Sequence, residues 1–250
     1  MIDTHCHLEK EDYENLEQVI KNMEGNIMIA SGYDSKSNRN VIDLVNKYDN
    51  IYGTIGIHPT EYDSMNEKEL KFIEENLSNK KIVGVGEIGL DYYWDANHKD
   101  IQKEYFIKQI EIAKKYNKVI VIHSREACQD TYDILKEHTN NNKIVLHCYS
   151  YTKEMAKEFK KLGVKFGIGG VLTFKNASKL KETVEILDME DILLETDSPY
   201  LSPEPYRGKT NEPKNIELVA KKIAEIKKLK YEEVLLKTTE NATQLFDLKR

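Results

Sequence analysis

Short runs of apolar and β-branched residues recur along the chain and alternate with longer, highly charged segments. Each run has about the length of one strand, and the segments between them are long enough for helices. Eight runs are present, at residues 1–8, 26–32, 50–57, 81–89, 118–123, 143–148, 164–170 and 191–197. This alternation predicts repeated strand–helix–strand units, in which consecutive strands run parallel.

The segments between the runs carry helical signals. Residues 99–116 place apolar side chains at helical spacing. Residues 150–163 begin with Ser and Thr, which cap helices, and end at Gly163, which commonly terminates them. Residues 214–229 are amphipathic, as an outer helix packed on a sheet is expected to be.

Eight strand–helix units suggest a closed (β/α)8 barrel, the TIM barrel, and 250 residues is a typical length for one. No Gly/Ser linker or low-complexity segment interrupts the chain. We therefore expect residues 1–250 to form a single α/β barrel domain. The pattern by itself leaves an open, doubly wound parallel sheet as the alternative.

Histidine and acidic residues are concentrated where the apolar runs end. Of the seven histidines, only His98 and His138 lie away from such an end. The C-terminal ends of all strands meet on one face of an α/β barrel, so side chains placed there converge. The residues concerned are His5, His7, His58, Glu87, His123, His147 and Asp197.

The spacing of His5 and His7 puts both imidazoles on one side of the first strand, with Cys6 on the other. Imidazole and carboxylate donors suit zinc, manganese or magnesium. Four histidines together with Glu87 and Asp197 exceed the three protein ligands that a catalytic zinc usually has. The set therefore predicts two divalent ions that share a carboxylate. A single histidine at a strand end is more often structural, so the prediction depends on the whole set.

Composition and charge narrow the function further. The net charge is −6 and the pI about 5.7, so a polyanionic substrate needs local Lys, Arg or metal ions. The three cysteines form no CxxC pair, which fits a reduced, cytoplasmic protein. Neither a secretory signal nor an apolar stretch of about 18 residues is visible, so no membrane contact is expected.

The segment GVGEIG at 84–89 matches the dinucleotide-binding fingerprint, but its context argues against that function. No helix opens directly after it, and Glu87 would put a carboxylate inside the phosphate-binding turn. We expect these glycines to let neighbouring strands approach closely. No nucleophile elbow, P-loop or HExxH helix is present either.

Several motifs, in order along nearly the whole chain, resemble those of the TatD family of metal-dependent hydrolases. They are DTHCH (3–7), GIHP (56–59), GEIGLDYY (86–93), IHSR (122–125), LHCYS (146–150), GVLTFKNA (170–177), LLETDSPYL (193–201) and NEP (211–213). The resemblance implies a TIM barrel of the metal-dependent hydrolase type and a cytoplasmic deoxyribonuclease with 3′–5′ exonuclease-like activity. Two divalent ions (Zn, Mg or Mn) are expected to activate a hydroxide for attack on the phosphodiester. DNA, as single strands or 3′ ends, is the expected partner, RNA a second candidate, and the monomer the expected state.

The resemblance also assigns roles to individual candidate residues. Glu87 bridges the ions and Asp197 faces the attacking water as its proton acceptor, so these two are the expected catalytic residues. The first ion is expected to bind His5, His7 and Asp197. The second is expected to bind His123 and His147. His58 and Arg125 match positions expected near the substrate phosphate. Apart from the resemblance, Lys175 and Arg207 are expected to form a local basic rim that binds substrate, and Tyr149 is a further expected substrate-binding residue.

Three further positions qualify the resemblance. Asp3 lies one step deeper than His5 on the first strand, where orienting an imidazole fits it better than direct coordination. Tyr151 stands where the family commonly has glycine, and either base stacking or loop packing explains it. Thr210 replaces a common basic residue. Both departures lie in expected substrate loops, so the substrate preference stays open.

Two other functions compete with a nuclease. An activated hydroxide can attack a carbonyl carbon as well as phosphorus, so a hydrolase of small esters, amides, lactones or phosphate esters is the first alternative. Sites of that type often use a carboxylated lysine as the bridge, whereas Glu87 takes that position here. The second alternative is a binding protein with a degenerate site, which predicts missing ligands, but all six are present.

Overall fold

The computed structural model describes residues 1–140 and 142–249, and within them eight parallel strands form one sheet in chain order. The strands are β1 (Ile2–Cys6), β2 (Ile27–Ser31), β3 (Ile51–Ile55), β4 (Ile82–Asp91), β5 (Val119–Arg125), β6 (Ile144–Leu146), β7 (Val164–Ile168) and β8 (Ile192–Leu194). The helices are α1 (Leu16–Lys21), α2 (Ser35–Lys47), α3 (Glu67–Asn76), α4 (Lys99–Lys115), α5 (Cys128–His138), α6 (Lys153–Lys161), α7 (Ser178–Ile186), α8 (Ile216–Lys227) and α9 (Tyr231–Phe246).

Every predicted strand is present, and β4 and β5 each extend two residues beyond the predicted run. The helices α4, α6 and α8 lie within the segments that the sequence predicts to be helical. Thr152 caps α6 by accepting a hydrogen bond from the Met155 amide at 3.4 Å, and Gly163 follows the helix with φ +77°. Within the described part of the chain, no helix combines the length and hydropathy needed to cross a membrane.

The sheet closes where β8 meets β1. The His7 amide donates to the Ser198 carbonyl at 2.7 Å, and the Asp197 amide donates to the His5 carbonyl at 3.0 Å. We call this junction the seam. It joins the C-terminal end of β1 to the segment that directly follows β8, so the architecture is the predicted (β/α)8 barrel rather than an open, doubly wound sheet.

Alternate residues of each strand pack in two different layers. In β5, Ile120 and Ile122 belong to the outer core between the sheet and the helices. Val119 and Val121 instead belong to an inner apolar cluster inside the barrel, which α9 covers. The next residue on the inner side is His123, so the barrel interior changes from apolar to polar toward the C-terminal ends of the strands.

The glycines of β4 allow it to lie close to β5. A Cβ atom on Gly86 would lie 2.7 Å from the Val121 carbonyl oxygen, and one on Gly89 would lie 1.9 Å from the His123 carbonyl oxygen. Real Cβ atoms do not approach a backbone so closely, so both positions require glycine. The interpretation of GVGEIG as a packing feature, and not as a dinucleotide fingerprint, agrees with this geometry.

We expect Gly89→Ala to destabilise the barrel by about 3 kcal/mol or more, because the added methyl group meets a backbone atom that cannot move aside. Urea denaturation measures the loss. The matched control is Gly163→Ala, where φ is also positive but no atom lies within 4 Å, and the cost should be about 1 kcal/mol. Equal losses for the two variants would contradict the close approach of β4 and β5.

Candidate metal centre

The predicted ligands meet in one cluster at the C-terminal mouth of the barrel. His123 continues the inner side of β5, and His147 follows β6 one residue beyond its end. Each ligand belongs to at least one group of three residues whose donor atoms lie within 4.8 Å of one another. The residues brought together are His5, His7, Glu87, His123, His147 and Asp197.

Glu87 lies at the centre of the cluster, and its two oxygens face different pairs of imidazoles. Oε2 lies 3.4 Å from His5 Nε2 and 3.7 Å from His7 Nε2. Oε1 lies 2.8 Å from His123 Nδ1 and 2.9 Å from His147 Nε2. A single carboxylate therefore links two halves of the cluster.

Asp197 lies on the same half as the two N-terminal histidines. Its Oδ1 is 3.5 Å from His7 Nε2 and 3.8 Å from His5 Nε2. Its backbone adopts the left-handed conformation, with φ +54°, and the seam hydrogen bond to the His5 carbonyl holds it there. Closure of the barrel thus fixes this carboxylate beside its neighbours.

Contacts behind the imidazoles determine which nitrogen faces the cluster. His7 Nδ1 lies 2.9 Å from the Ser31 carbonyl, which only accepts hydrogen bonds, so Nδ1 carries a proton and Nε2 is the nitrogen that faces the cluster. His5 Nδ1 lies 3.1 Å from Ser31 Oγ. His123 Nε2 lies 2.8 Å from Asp91 Oδ2, which leaves Nδ1 toward Glu87. Such outer contacts orient imidazoles that bind metals.

The cluster keeps negative charge on both carboxylates. Burial raises the pKa of Glu87, but the positive charge of His147 and the hydrogen bonds from its histidine neighbours outweigh burial and hold that pKa well below its usual range. Burial also raises the pKa of Asp197, but the hydrogen bond from His7 and the charges of the nearby histidines outweigh burial and lower it. Burial lowers the pKa values of His7 and His147, but the neighbouring carboxylates outweigh burial. They raise the pKa of His7 to about 9 and that of His147 to about 10. Burial and the nearby His147 lower the pKa of His5 to about 4.

The donor atoms fit a divalent cation. His5 Nε2 is buried and has no hydrogen-bond partner, although it points at Glu87 Oε2 from 3.4 Å. Atoms that share an ion at about 2.0–2.2 Å lie roughly 3–3.5 Å from one another. The His5–Glu87 distance and the 3.5 Å between His7 Nε2 and Asp197 Oδ1 are of that size. Mixed imidazole and carboxylate donors suit zinc or manganese.

Asp91 belongs to this site, and the sequence analysis did not include it. One of its oxygens contacts His123, and the other accepts hydrogen bonds from the amides of Tyr93 at 3.0 Å and Trp94 at 2.9 Å. It lies four residues after Glu87, so strand alternation carried through residue 91 would have put both carboxylates on one side of β4.

Glu195 is the second residue that the sequence analysis missed. Its side chain is fully buried, and its Oε1 lies 3.9 Å from His147 Nδ1. Burial raises its pKa to about 8. Alternation along β8 gives the signal that would have identified it, because Leu193 belongs to the inner cluster and Glu195 follows two residues later.

The position of Asp3 corrects its expected role. Its side chain accepts hydrogen bonds from the His5 amide at 3.3 Å, from the Thr196 amide at 3.0 Å and from the Thr196 hydroxyl at 2.5 Å. Among the described residues it makes no hydrogen bond with an imidazole ring. Asp3 therefore joins β1 to the segment after β8 and positions the backbone of the ligands, rather than orienting a ring.

Tyr149 is packed inside the protein, which corrects its assignment as a substrate-binding residue. Its side chain is only 3% exposed, its ring meets the Phe166 ring edge to face at 5.0 Å, and its hydroxyl donates to the Thr152 carbonyl. The neighbouring Tyr151 places its hydroxyl 2.8 Å from Ser124 Oγ and accepts from the Ala127 amide. Of its two explanations, these contacts favour loop packing.

The other predicted substrate residues lie at the mouth. His58 Nε2 is 3.6 Å from Glu87 Oε1, on the edge of the cluster. Arg125 is the exposed last residue of β5, and Lys175 and Arg207 are exposed in the segments that follow β7 and β8. The Arg125 guanidinium stacks on Tyr93 at 3.8 Å, and that of Arg207 stacks on Phe174 at 4.3 Å. None of the three cations enters the cluster of donors, so they form a rim around it.

An α/β barrel with a cluster of histidines and carboxylates at the C-terminal ends of its strands defines a metal-dependent hydrolase. A family model described as TatD related DNase matches residues 2–247, and the chain belongs to this TatD family.

Individual relatives agree with the family match. The chain is 41% identical to the uncharacterized metal-dependent hydrolase YabD of Bacillus subtilis over 98% of both chains. It is 34% identical to the uncharacterized metal-dependent hydrolase YcfH of Escherichia coli K12, over 99% of this chain and 96% of the relative. The crystal structure of the TatD homologue YJJV from Escherichia coli K12 matches with a TM-score of 0.92 and 27% identity, covering 100% of this chain and 98% of that one. The family resemblance and the barrel fold are thereby confirmed.

We expect metal binding to release protons, because His7 and His147 hold protons in the ion-free cluster at pH 7.5 and must lose them to become ligands. About one to two protons should leave per chain, and metal affinity should rise with pH up to the alkaline pKa values. Calorimetric titration with Zn²⁺ in buffers of different ionisation enthalpy measures the number. His138→Gln, remote from the cluster, is the control. Binding heats that do not depend on the buffer would contradict the charge assignment.

Proposed function

We propose that the protein is a deoxyribonuclease that hydrolyses phosphodiester bonds with two divalent ions and acts from 3′ ends. The observation that carries this proposal is the position of Glu87, whose two oxygens face two separate pairs of imidazoles at the barrel mouth. The family's description as DNases supports DNA as the substrate.

The chain offers a complete set of donors for each ion. One set consists of His5, His7, Asp197 and Oε2 of Glu87. The other consists of His123, His147 and Oε1 of Glu87. When bound, two divalent ions stabilise negative charge on phosphate oxygens and lower the pKa of a water molecule.

Asp197 is the residue best placed to accept a proton from the attacking water. The pKa of Asp197 is lowered, so the carboxylate is ionised at neutral pH and carries no proton of its own. The side chain of Asp197 is 14% exposed, whereas that of Glu87 is 6% exposed. Both oxygens of Glu87 face imidazoles, so neither is free to contact the attacking water. Asp197 is therefore the carboxylate that would orient this water.

His58 is placed to donate a hydrogen bond to the substrate. Its Nδ1 accepts a hydrogen bond from the Thr60 amide at 3.3 Å, so the ring proton is on Nε2, which points into the site. Burial and the nearby His123 lower the pKa of His58 to about 3, so the ring is neutral. A neutral N–H donor aimed at a phosphate oxygen orients the substrate and stabilises the charge that develops on it.

The rim of cations supports a phosphodiester over a small neutral ester. The chain carries a net charge of −6, yet Arg125, Lys175 and Arg207 are exposed around the mouth. Each can contact phosphates beside the one that reacts, whereas a small ester or lactone has no group for them to bind. The local charges thus compensate for the unfavourable net charge.

A cleavage assay on end-labelled strands tests the proposal. We expect single-stranded DNA to be shortened from its 3′ end in Mg²⁺, Mn²⁺ or Zn²⁺, and the activity to disappear with chelator. Asp197→Asn should lower kcat by about 100-fold or more, because the proton acceptor is lost. Asp188→Asn, on the surface, is the control.

The same assay includes RNA, lactones, amides and nitrophenyl esters. Hydrolysis of one of the small substrates without any cleavage of DNA would replace the nuclease proposal with that activity. Absence of all hydrolysis in every metal would instead favour a binding protein. A wild-type cleavage rate for Asp197→Asn would remove Asp197 from the mechanism.

Metal analysis tests the bridge separately. Glu87→Gln should reduce the metal content from two ions per chain to one or fewer, because an amide has one oxygen and no charge to share between the imidazole pairs. Elemental analysis after dialysis against a small excess of Zn²⁺ gives the number. Glu190→Gln, on the surface beside Lys237, should keep the wild-type content. Two ions retained by Glu87→Gln would contradict the bridging role.

A further inference from the structure

The loop after β4 presents two aromatic rings to solvent beside the metal centre. Trp94 is 69% exposed and Tyr93 is 51% exposed. The Arg125 guanidinium lies 3.8 Å from the centre of the Tyr93 ring and 5.5 Å from that of Trp94. We propose that this platform, formed by Tyr93, Trp94 and Arg125, is a subsite that stacks a nucleobase of a single strand next to the scissile phosphate.

Asp91 fixes the platform relative to the cluster. Its Oδ1 accepts hydrogen bonds from the amides of Tyr93 and Trp94, and its Oδ2 lies 2.8 Å from His123 Nε2. One carboxylate therefore holds both the backbone of the platform and a metal-ligand candidate. A base on the platform lies beside the site that would hold its own or the neighbouring phosphate.

The loop that carries these exposed rings is held in place by hydrogen bonds. The preceding residue, Tyr92, donates its hydroxyl to Asp130 Oδ2 at 2.6 Å, and its amide donates to the Arg125 carbonyl at 2.9 Å. The loop is thus attached to β5 and α5 while the next two rings point outward. Two adjacent exposed aromatic rings at a barrel mouth are typical of a binding surface.

The chemistry of the platform selects a nucleobase. Aromatic rings stack on any base and are tolerant of sequence, and a guanidinium adds both a cation–π contact and a phosphate contact. Bases within a duplex are already covered by their neighbours, so only an unpaired base can bind in this way. The inference rests on the proposed function, because it assumes a nucleic acid substrate, and it adds the surface that would bind an unpaired base.

Trp94 is the single tryptophan of the chain, so its fluorescence reports directly on the platform. The probe is a phosphorothioate oligothymidylate, which resists cleavage, titrated in Mg²⁺ at low salt. We expect saturable quenching with this strand. A strand of equal length with abasic residues at its 3′ end should bind roughly ten-fold or more weakly. Absence of quenching, or equal binding of the two strands, would overturn the platform.

Variants test the platform in catalysis. Trp94→Ala should raise KM for single-stranded DNA by roughly ten-fold, with kcat at saturation and metal content kept, and Trp94→Phe should restore most of the affinity. Leu236→Ala, on α9, removes an apolar side chain that is 59% exposed far from the mouth and is the control. An unchanged KM in Trp94→Ala would contradict stacking.

The two experiments separate this inference from the proposed function. If the wild-type protein cleaves no strand, but base-bearing strands still quench Trp94 and abasic strands do not, the nuclease proposal fails and the platform stands. If the wild type cleaves DNA while Trp94→Ala and the abasic strand behave normally, the platform fails and the nuclease proposal stands.

Discussion

The site depends on the seam between the last strand and the first. Two of the hydrogen bonds that close the barrel use the amide of His7 and the amide of Asp197, and both residues are ligand candidates. Asp3 strengthens the same junction through Thr196. Closing the barrel therefore also brings His5, His7 and Asp197 together. The two histidines lie early in the chain because they stand at the C-terminal end of the first strand, and that end lies at the mouth of the barrel.

The second constraint on the site is the negative charge of its two buried carboxylates. Glu87 and Asp197 are ionised and largely shielded from water, and an uncompensated buried carboxylate is very costly. Protons on His7 and His147 supply the compensation in the ion-free cluster. Divalent ions supply it when the same nitrogens become ligands. Exchange of these protons for a divalent ion would therefore leave no uncompensated buried charge.

Strand alternation and chain order were enough to predict eight parallel strand–helix units and the meeting of six histidine and acidic side chains, because both follow from local periodicity and from the geometry of parallel strands. Periodicity did not distinguish a closed barrel from an open sheet, because that choice depends on the contact between the two ends of the sheet. Predictions became unreliable where the backbone leaves that geometry. Cys148 has φ +45°, which ends the alternation after His147 and directs Tyr149 into the core against Phe166. Asp91 was missed because β4 extends two residues beyond its apolar run. The partner of Asp3 depends on a segment that lies 193 residues away in sequence, and periodicity carries no information about such a contact.

Asp91 contacts both the metal centre and the loop that carries the proposed base-stacking platform. Through one oxygen it holds His123 in place, and through the other it holds the loop that carries Trp94. In the proposed function, recognition of a base and the chemistry at the phosphate would depend on the same carboxylate, so the distance between them would be set by covalent geometry and by the hydrogen bonds of Asp91. The net charge of −6 makes such short-range contacts important for a polyanionic substrate, because long-range attraction would not bring it to the site. The affinity of the proposed substrate would have to come from a few contacts close to the reacting atoms, and such contacts suit the free end of a single strand better than the middle of a duplex.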